Sequence, residues 1–188
     1  MTQRAHDAEA EAALAIRLAA PTEAVMCAEP EPDRRAMREK ARARDGVAEI
    51  LLFTVGGERF GIDLAAVEEA IDLPPVHHVP EMPDAMLGVI TVRGSLTSVY
   101  SPRHALGVAP SHGECALIFR RQRSRLALVI DDVDDARVVD LGHLREAPSG
   151  AAAGVVLGVV RQADVLCSLL DADAVLAACH VSSQPDLA

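Results

Sequence analysis

The stretch Gly88-Val-Ile-Thr-Val-Arg-Gly94 reads as a short strand between two turns, because it is apolar, β-branched and bounded by glycine. Its last residues place one arginine between the strand end and a glycine. Gly94 can adopt positive φ without a Cβ penalty, so the chain is expected to bend sharply just after Arg93. That puts a planar, permanently charged side chain at a rim, free to fork onto a carboxylate or a backbone carbonyl of a partner. An ordinary surface arginine at a strand end is the plainer reading, and this stretch alone does not choose between them.

The neighbouring segments follow the same pattern. Ser95–Tyr100 reads as the partner strand running back from Gly94, and Ser101-Pro-Arg-His-Ala-Leu-Gly107 as a short helix with Ser at its cap, Pro at its first position and Gly beyond its end. Upstream, Pro74, Pro75, Pro80 and Pro83 mark an irregular connection. Before it, Ile50–Val55 and Arg59–Asp63 flank Gly56-Gly57-Glu58, a hairpin signal, while Leu64–Ile71 is too short to decide between a helical turn and a strand. Downstream the pattern repeats with strands at Cys115–Arg120 and Arg125–Asp131 around a polar turn, then Ala136–Val139, Gly154–Val160 and Asp164–Leu170. A helix over Asp171–Cys179, capped by Asp, closes the chain. Many short strands at regular spacing predict an all-β fold. Two hairpin-led halves, about 47–107 and 114–170, point to two small barrels within a domain spanning 46–180, with 181–188 as a tail. Residues 1–45 hold 8 basic and 9 acidic groups and few large apolar ones. They are expected to form a loosely ordered or partly helical extension, with a helix at Asp7–Ala20 stopped by Pro21.

Composition excludes several functions. The net charge is −10 and only 2% of residues are aromatic, so phosphate neutralisation and base stacking are both poorly served and no nucleic acid is expected. Cys27, Cys115, Cys167 and Cys179 lack CxxC spacing, which argues against zinc or redox motifs. No apolar run of about 18 residues predicts a membrane span, and no basic segment followed by an apolar run predicts a secretory signal; a cytoplasmic location is expected.

The remaining polar clusters give no chemistry. Asp131, Asp132, Asp134 and Asp135 fail the calcium-loop pattern, since Ala136 and Gly142 stand where Gly and Glu are needed, and a solvated strand end is expected. His77-His78 has no partner ligand at useful spacing. Ser95, Ser98 and His104 lack a nucleophile elbow. Arg120, Arg121, Arg123 and Arg125 read as a solvated basic hairpin tip, with an anionic contact as the other reading. No catalytic residue, metal or cofactor is expected, and a β scaffold without chemistry most often binds other proteins.

Taken together, Phe53-Thr-Val-Gly-Gly-Glu-Arg-Phe-Gly-Ile-Asp63, Val67, Glu69, Val79-Pro80 and Gly88–Gly94 resemble the CheW family of chemotaxis coupling proteins. Arg125–Asp131, Val133 and Gly158 extend the resemblance to about residues 47–178. It implies two packed SH3-like five-stranded barrels and no catalysis. The partners it implies are a CheA-type histidine kinase, through that kinase's related regulatory domain, and the hairpin tip of a chemoreceptor's cytoplasmic region. Val67, Glu69, Gly88, Arg93, Gly94 and Arg103 match the family pattern as partner-binding positions. Departures lie beside Arg93. Ser98 stands where the family usually has Pro, Ser101-Pro102-Arg103 replaces Asp-Leu-Arg, and Thr91-Val92 replaces Asn-Leu. A diverged scaffold or decoy that no longer couples a kinase is therefore the alternative. A receptor helix is expected in a cleft between the barrels, lined by Ile71, Val89 and Val99 with Val67 near its edge.

Overall fold

The computed structural model describes residues 34–82, 84–110, 113–121, 124–147, 152, 154–162 and 165–181. The helix expected at Asp7–Ala20, the tail beyond 181 and the tip residue Arg123 lie outside them. The chain divides into a unit 1–31 and a unit 32–188, and every described residue belongs to the second.

The elements are α1 (Arg34–Ala43), β1 (Val47–Val55), β2 (Glu58–Asp63), β3 (Glu69–Asp72), β4 (Met86–Val92), β5 (Ser95–Tyr100) and α2 (Arg103–Leu106). They continue with β6 (Cys115–Arg121), β7 (Ser124–Ile130), β8 (Asp132–Asp140), β9 (Leu144–Arg145), β10 (Val156–Gln162), β11 (Val165–Leu170) and α3 (Ala172–Val181). Single 3-10 turns at Leu64–Ala66 and Leu141–His143 precede β3 and β9, each opened by an aspartate, Asp63 or Asp140, whose side chain accepts a backbone N–H two residues on. The segment Leu64–Ile71 is thus both of the things its sequence allowed.

The strands form two sheets, one six-stranded in the order β8-β1-β2-β11-β10-β9 and one five-stranded in the order β3-β6-β7-β5-β4. The second closes on itself, since His77, just past β3, exchanges both backbone hydrogen bonds with Val89 of β4, at 2.9 and 3.0 Å. The two sheets, hereafter barrels A and B, share one wiring. Each has a parallel seam, Ser168↔Phe60 through Leu170↔Ile62 in A and Ser98↔Leu126 through Tyr100↔Leu128 in B. Each has a hairpin with a register shift before a glycine, Gly158 or Gly88. Those glycines are required by space, because a Cβ would come 2.5 Å from the Arg145 carbonyl oxygen at Gly158 and 2.3 Å from that of His77 at Gly88.

The sheets do not follow the halves read from the sequence. β1 and β2 lie in barrel A with β8 to β11, while β3, β4 and β5 lie in barrel B with β6 and β7. Each half therefore contributes strands to both barrels. Hairpin signals are local, whereas the parallel pairings β2·β11 and β5·β7 join residues far apart in the chain and leave no local mark.

Burial explains why the central strands read as unbroken apolar runs: both their faces are covered. In β1, Ile50 and Leu52 face the core of barrel A with Val139, Leu141, Leu144, Val160 and Leu169, while Leu51, Phe53 and Val55 face the space between the barrels. In β6, Ala116 and Ile118 face the core of barrel B, and Leu117 and Phe119 face the same space between. That inter-barrel cluster also holds Phe60, Ile62, Leu126, Leu128, Ile130 and Leu170, and Val175, Leu176 and Cys179 of α3.

The expected cleft between the barrels is thus filled. Val67 belongs to the inter-barrel cluster and is only 8% exposed, while Val99 is fully buried and Ile71 packs with it inside barrel B. Alternation along a half-buried strand looks the same whether its apolar face meets a groove or a core, so sequence did not separate the two.

Met37 and Ala41, one turn apart on α1, are buried in the barrel A cluster, so the helical part of the expected extension packs onto the barrel through these two residues.

Candidate protein-binding site

The turn between β4 and β5 consists of Arg93 and Gly94, at φ 48° and 78°, closed by the pair Val92↔Ser95. Positive φ at both central residues is the turn whose twist suits a two-residue hairpin. The bend therefore includes Arg93 itself, where only Gly94 was expected to take that conformation. A Cβ on Gly94 would meet nothing within 4 Å. The turn leaves the Arg93 side chain 73% exposed.

From there Arg93 reaches back to Glu69. Its Nη2 donates to Glu69 Oε2 at 2.7 Å. Glu69 shares a face of β3 with Ile71, which packs inside the barrel, so its carboxylate sits in the barrel mouth and its side chain is only 12% exposed. The second oxygen, Oε1, is buried and has no hydrogen-bond partner.

Next to it, Glu68 collects the other side of the mouth. Arg120 and Arg125 face each other across β6 and β7, an arrangement that repels unless an anion lies between. Glu68 is that anion. Arg120 Nη2 donates to its Oε1 at 3.1 Å and Arg125 Nε to its Oε2 at 3.1 Å, with Arg125 Nη2 also bonded to Oε1. Burial pushes the Glu68 carboxyl up, but the hydrogen bonds from Arg125 and Arg120 outweigh it and hold the group below its ordinary value. Sequence reading missed Glu68; of its two readings of the basic tip, a solvated turn or an anionic contact, Arg120 and Arg125 make the second. The two arginines flanking one turn were the available signal.

The mouth of barrel B thus gathers Glu69, Arg93 and Gly94 with Glu68, Arg120 and Arg125, and Val67 lies just behind it in the core. Leu96, two residues past the turn and 75% exposed, is an apolar residue on the outer face of β5 that sequence reading also missed. The other two candidates lie elsewhere. Gly88 is buried against the His77 backbone. Arg103 opens α2, beyond the far end of β5, whose length places it about 17 Å from the turn. Ser95 and His104 are separated by the same strand, and the His104 ring lies against Arg103, 3.4 Å from its Nη2. Ser101 gives α2 no side-chain cap; its N–H bonds to Ala85 O instead.

The shared wiring of the two barrels, with a charged hairpin mouth on one of them, can be compared with known proteins. A family model described as CheW-like domain matches residues 49–179. The chain belongs to the CheW-like domain family. It is 27% identical over 106 residues to a chemotaxis protein CheW of Klebsiella aerogenes, covering 55% of this chain and 64% of that protein. A chemotaxis protein CheW of Rhizobium meliloti is 28% identical over 107 residues, covering 55% of this chain and 69% of the relative. The chain thus spans about two thirds of the length of these CheW relatives. Among solved structures, the scaffolding protein TtCheW from Thermoanaerobacter tengcongensis superposes with a TM-score of 0.59 over 66% of this chain and 89% of that one, at 19% identity. That likeness supports the CheW-like two-barrel fold. Among the described residues no helix is long and apolar enough to cross a membrane.

Proposed function

We propose that this CheW-like chain is a non-enzymatic adaptor in a chemosensory array, joining a receptor's cytoplasmic hairpin tip to the regulatory domain of a CheA-type histidine kinase in the cytoplasm. The observation that carries this reading is the Glu69–Arg93 pair at the mouth of barrel B. Arg93 is mostly exposed with donors to spare, and Glu69 has an unpartnered buried oxygen beside it. An arriving protein can take the exposed donors of Arg93 directly, and a charge-assisted contact of this kind, once desolvated, dominates a small interface.

Titration calorimetry with a kinase regulatory domain tests the reading. Arg93→Ala is expected to weaken binding by tenfold or more while the fold is retained, and unchanged affinity for both the kinase domain and a receptor fragment would refute it. The departures at Ser98 and Ser101-Pro102 favour a second reading, a diverged scaffold without kinase coupling. Recovery of a histidine kinase in a pull-down with the intact chain separates the two.

A further inference from the structure

Helix α1 plays no part in the coupling reading, and what it covers is itself built like a binding surface. Met37 is the one long apolar side chain that α1 is seen to bury, and Arg38, Glu39, Lys40 and Arg42 are exposed. A helix of ten residues with so little apolar surface is marginal by itself and depends on its dock. Met37 and Arg38 line one small cavity together with Asp63, Ala66, Leu157, Leu170, Asp171 and Asp173. The dock is acidic where the helix is basic. Arg38 Nε bonds Asp171 Oδ2, and Asp171 Oδ1 accepts the Ala174 N–H at 3.1 Å, so one carboxylate both caps α3 and holds α1. Asp63 is pushed up by burial, with the Ala65 N–H and the charge of Lys40 opposing.

One further feature indicates that the helix can leave. It comes from barrel B, where the same register position is bare. Leu157 precedes Gly158 as Leu87 precedes Gly88; α1 covers Leu157, whereas Leu87 is an exposed apolar residue in an intact barrel. A barrel of this wiring does not need a lid there to fold.

We propose that α1 is a displaceable lid on a docking surface for a basic amphipathic helix. Its replacement is a helix of a partner protein with the same pattern, a long apolar side chain followed by a cation and, one turn later, a small residue. This does not rest on the coupling reading, since neither Arg93 nor the barrel B mouth takes part. The test titrates a synthetic peptide of residues 32–45 into the full-length protein and into full-length Met37→Asp, read by backbone amide shifts. With its own helix released, the variant is expected to stay folded and to bind the peptide at least about tenfold more tightly than the wild type, where the lid competes. Shifts are expected at Asp63, Ala66, Leu157 and Asp171. Equal affinity in the two proteins, or equal binding of a peptide carrying Met37→Asp, overturns the proposal. So does global unfolding of the variant, which would make α1 part of the core. Hydrogen exchange on the wild type gives an answer independent of any variant. Amides of α1 should open well before those of β1, and exchange of both only through global unfolding overturns the lid.

Discussion

At the scale of single residues, burial separates the matched site positions into those free to change and those that are not. Val67 and Arg93 are both positions that match the family pattern, yet one is in the inter-barrel core and the other on the rim. Val67→Glu buries a carboxylate among Phe60, Leu117 and Phe119, with an expected loss of several kcal/mol, enough to unfold a marginal domain. Arg93→Ala removes an ion pair whose arginine is exposed but leaves the mostly buried Glu69 carboxylate without that donor, an expected cost of about 1–3 kcal/mol, less than that of Val67→Glu. Circular dichroism melts on the two variants check this, and a Val67→Glu protein that melts like wild type would place Val67 outside the core. The two site glycines make a second contrast. Gly88→Ala drives a methyl to 2.3 Å from a backbone oxygen at φ 144°, so a cost of about 3 kcal/mol or more is expected, with loss of the His77–Val89 closure. Gly94→Ala meets only the penalty of φ 78°, about 1 kcal/mol. Similar denaturation midpoints for the two would contradict the packing described around Gly88. Sequence alone gave both as glycines at strand boundaries; the carbonyl that distinguishes them comes from a segment paired across the barrel.

At the scale of elements, Glu68 ties β6 and β7 to the approach to β3, and its ionisation gives that tie a pH dependence. Because its folded value is held below the ordinary 4.5, the group binds its proton less readily folded than unfolded. Its contribution is therefore fully present above about pH 4.5 and is lost as the pH falls through the lowered folded value. Glu68→Gln should reduce stability at pH 7 and flatten the fall in melting temperature on the acid side, and an unchanged acid limb in the variant would show that Glu68 does not carry it. Cys167 and Cys179, on β11 and α3, are pushed up to about 11 by burial, so their thiols should react with alkylating agents only when the fold opens. Rapid labelling of either in the native protein would contradict that burial. The elements themselves were largely legible. The hairpin β1–β2, the β4–β5 turn and the Asp171 cap of α3 each have a local chemical cause, and each formed. The two-residue β9 was not, because its existence depends on pairing with β10 rather than on any pattern of its own. The same holds for the Glu68 clamp, which joins residues from three segments.

At the scale of the whole molecule, the interleaving of strands decides how the protein must unfold. The two halves looked separable in sequence because each begins with its own hairpin. In the structure, β1 and β2 find their sheet partners β8 and β11 in the second half, while β6 and β7 find β3 and β5 in the first. Neither half can close a barrel. Cutting the chain between them would leave open parallel edges at β2, β5, β7 and β11 and expose the apolar faces of β1 and β6, which are covered on both sides in the intact protein. The inter-barrel cluster adds to this, since it takes side chains from both sheets and from α3, so neither barrel retains its covering when the other melts. A single cooperative thermal transition is expected for the described unit, with calorimetric and van't Hoff enthalpies in agreement. Fragments 34–110 and 111–181 should each lack fixed tertiary structure alone, and mixing them should restore it, since the missing strands are then supplied in trans. Two resolved transitions, or a fragment with dispersed amide resonances of its own, would show that one barrel closes without the other and that the long-range pairings β2·β11 and β5·β7 are dispensable.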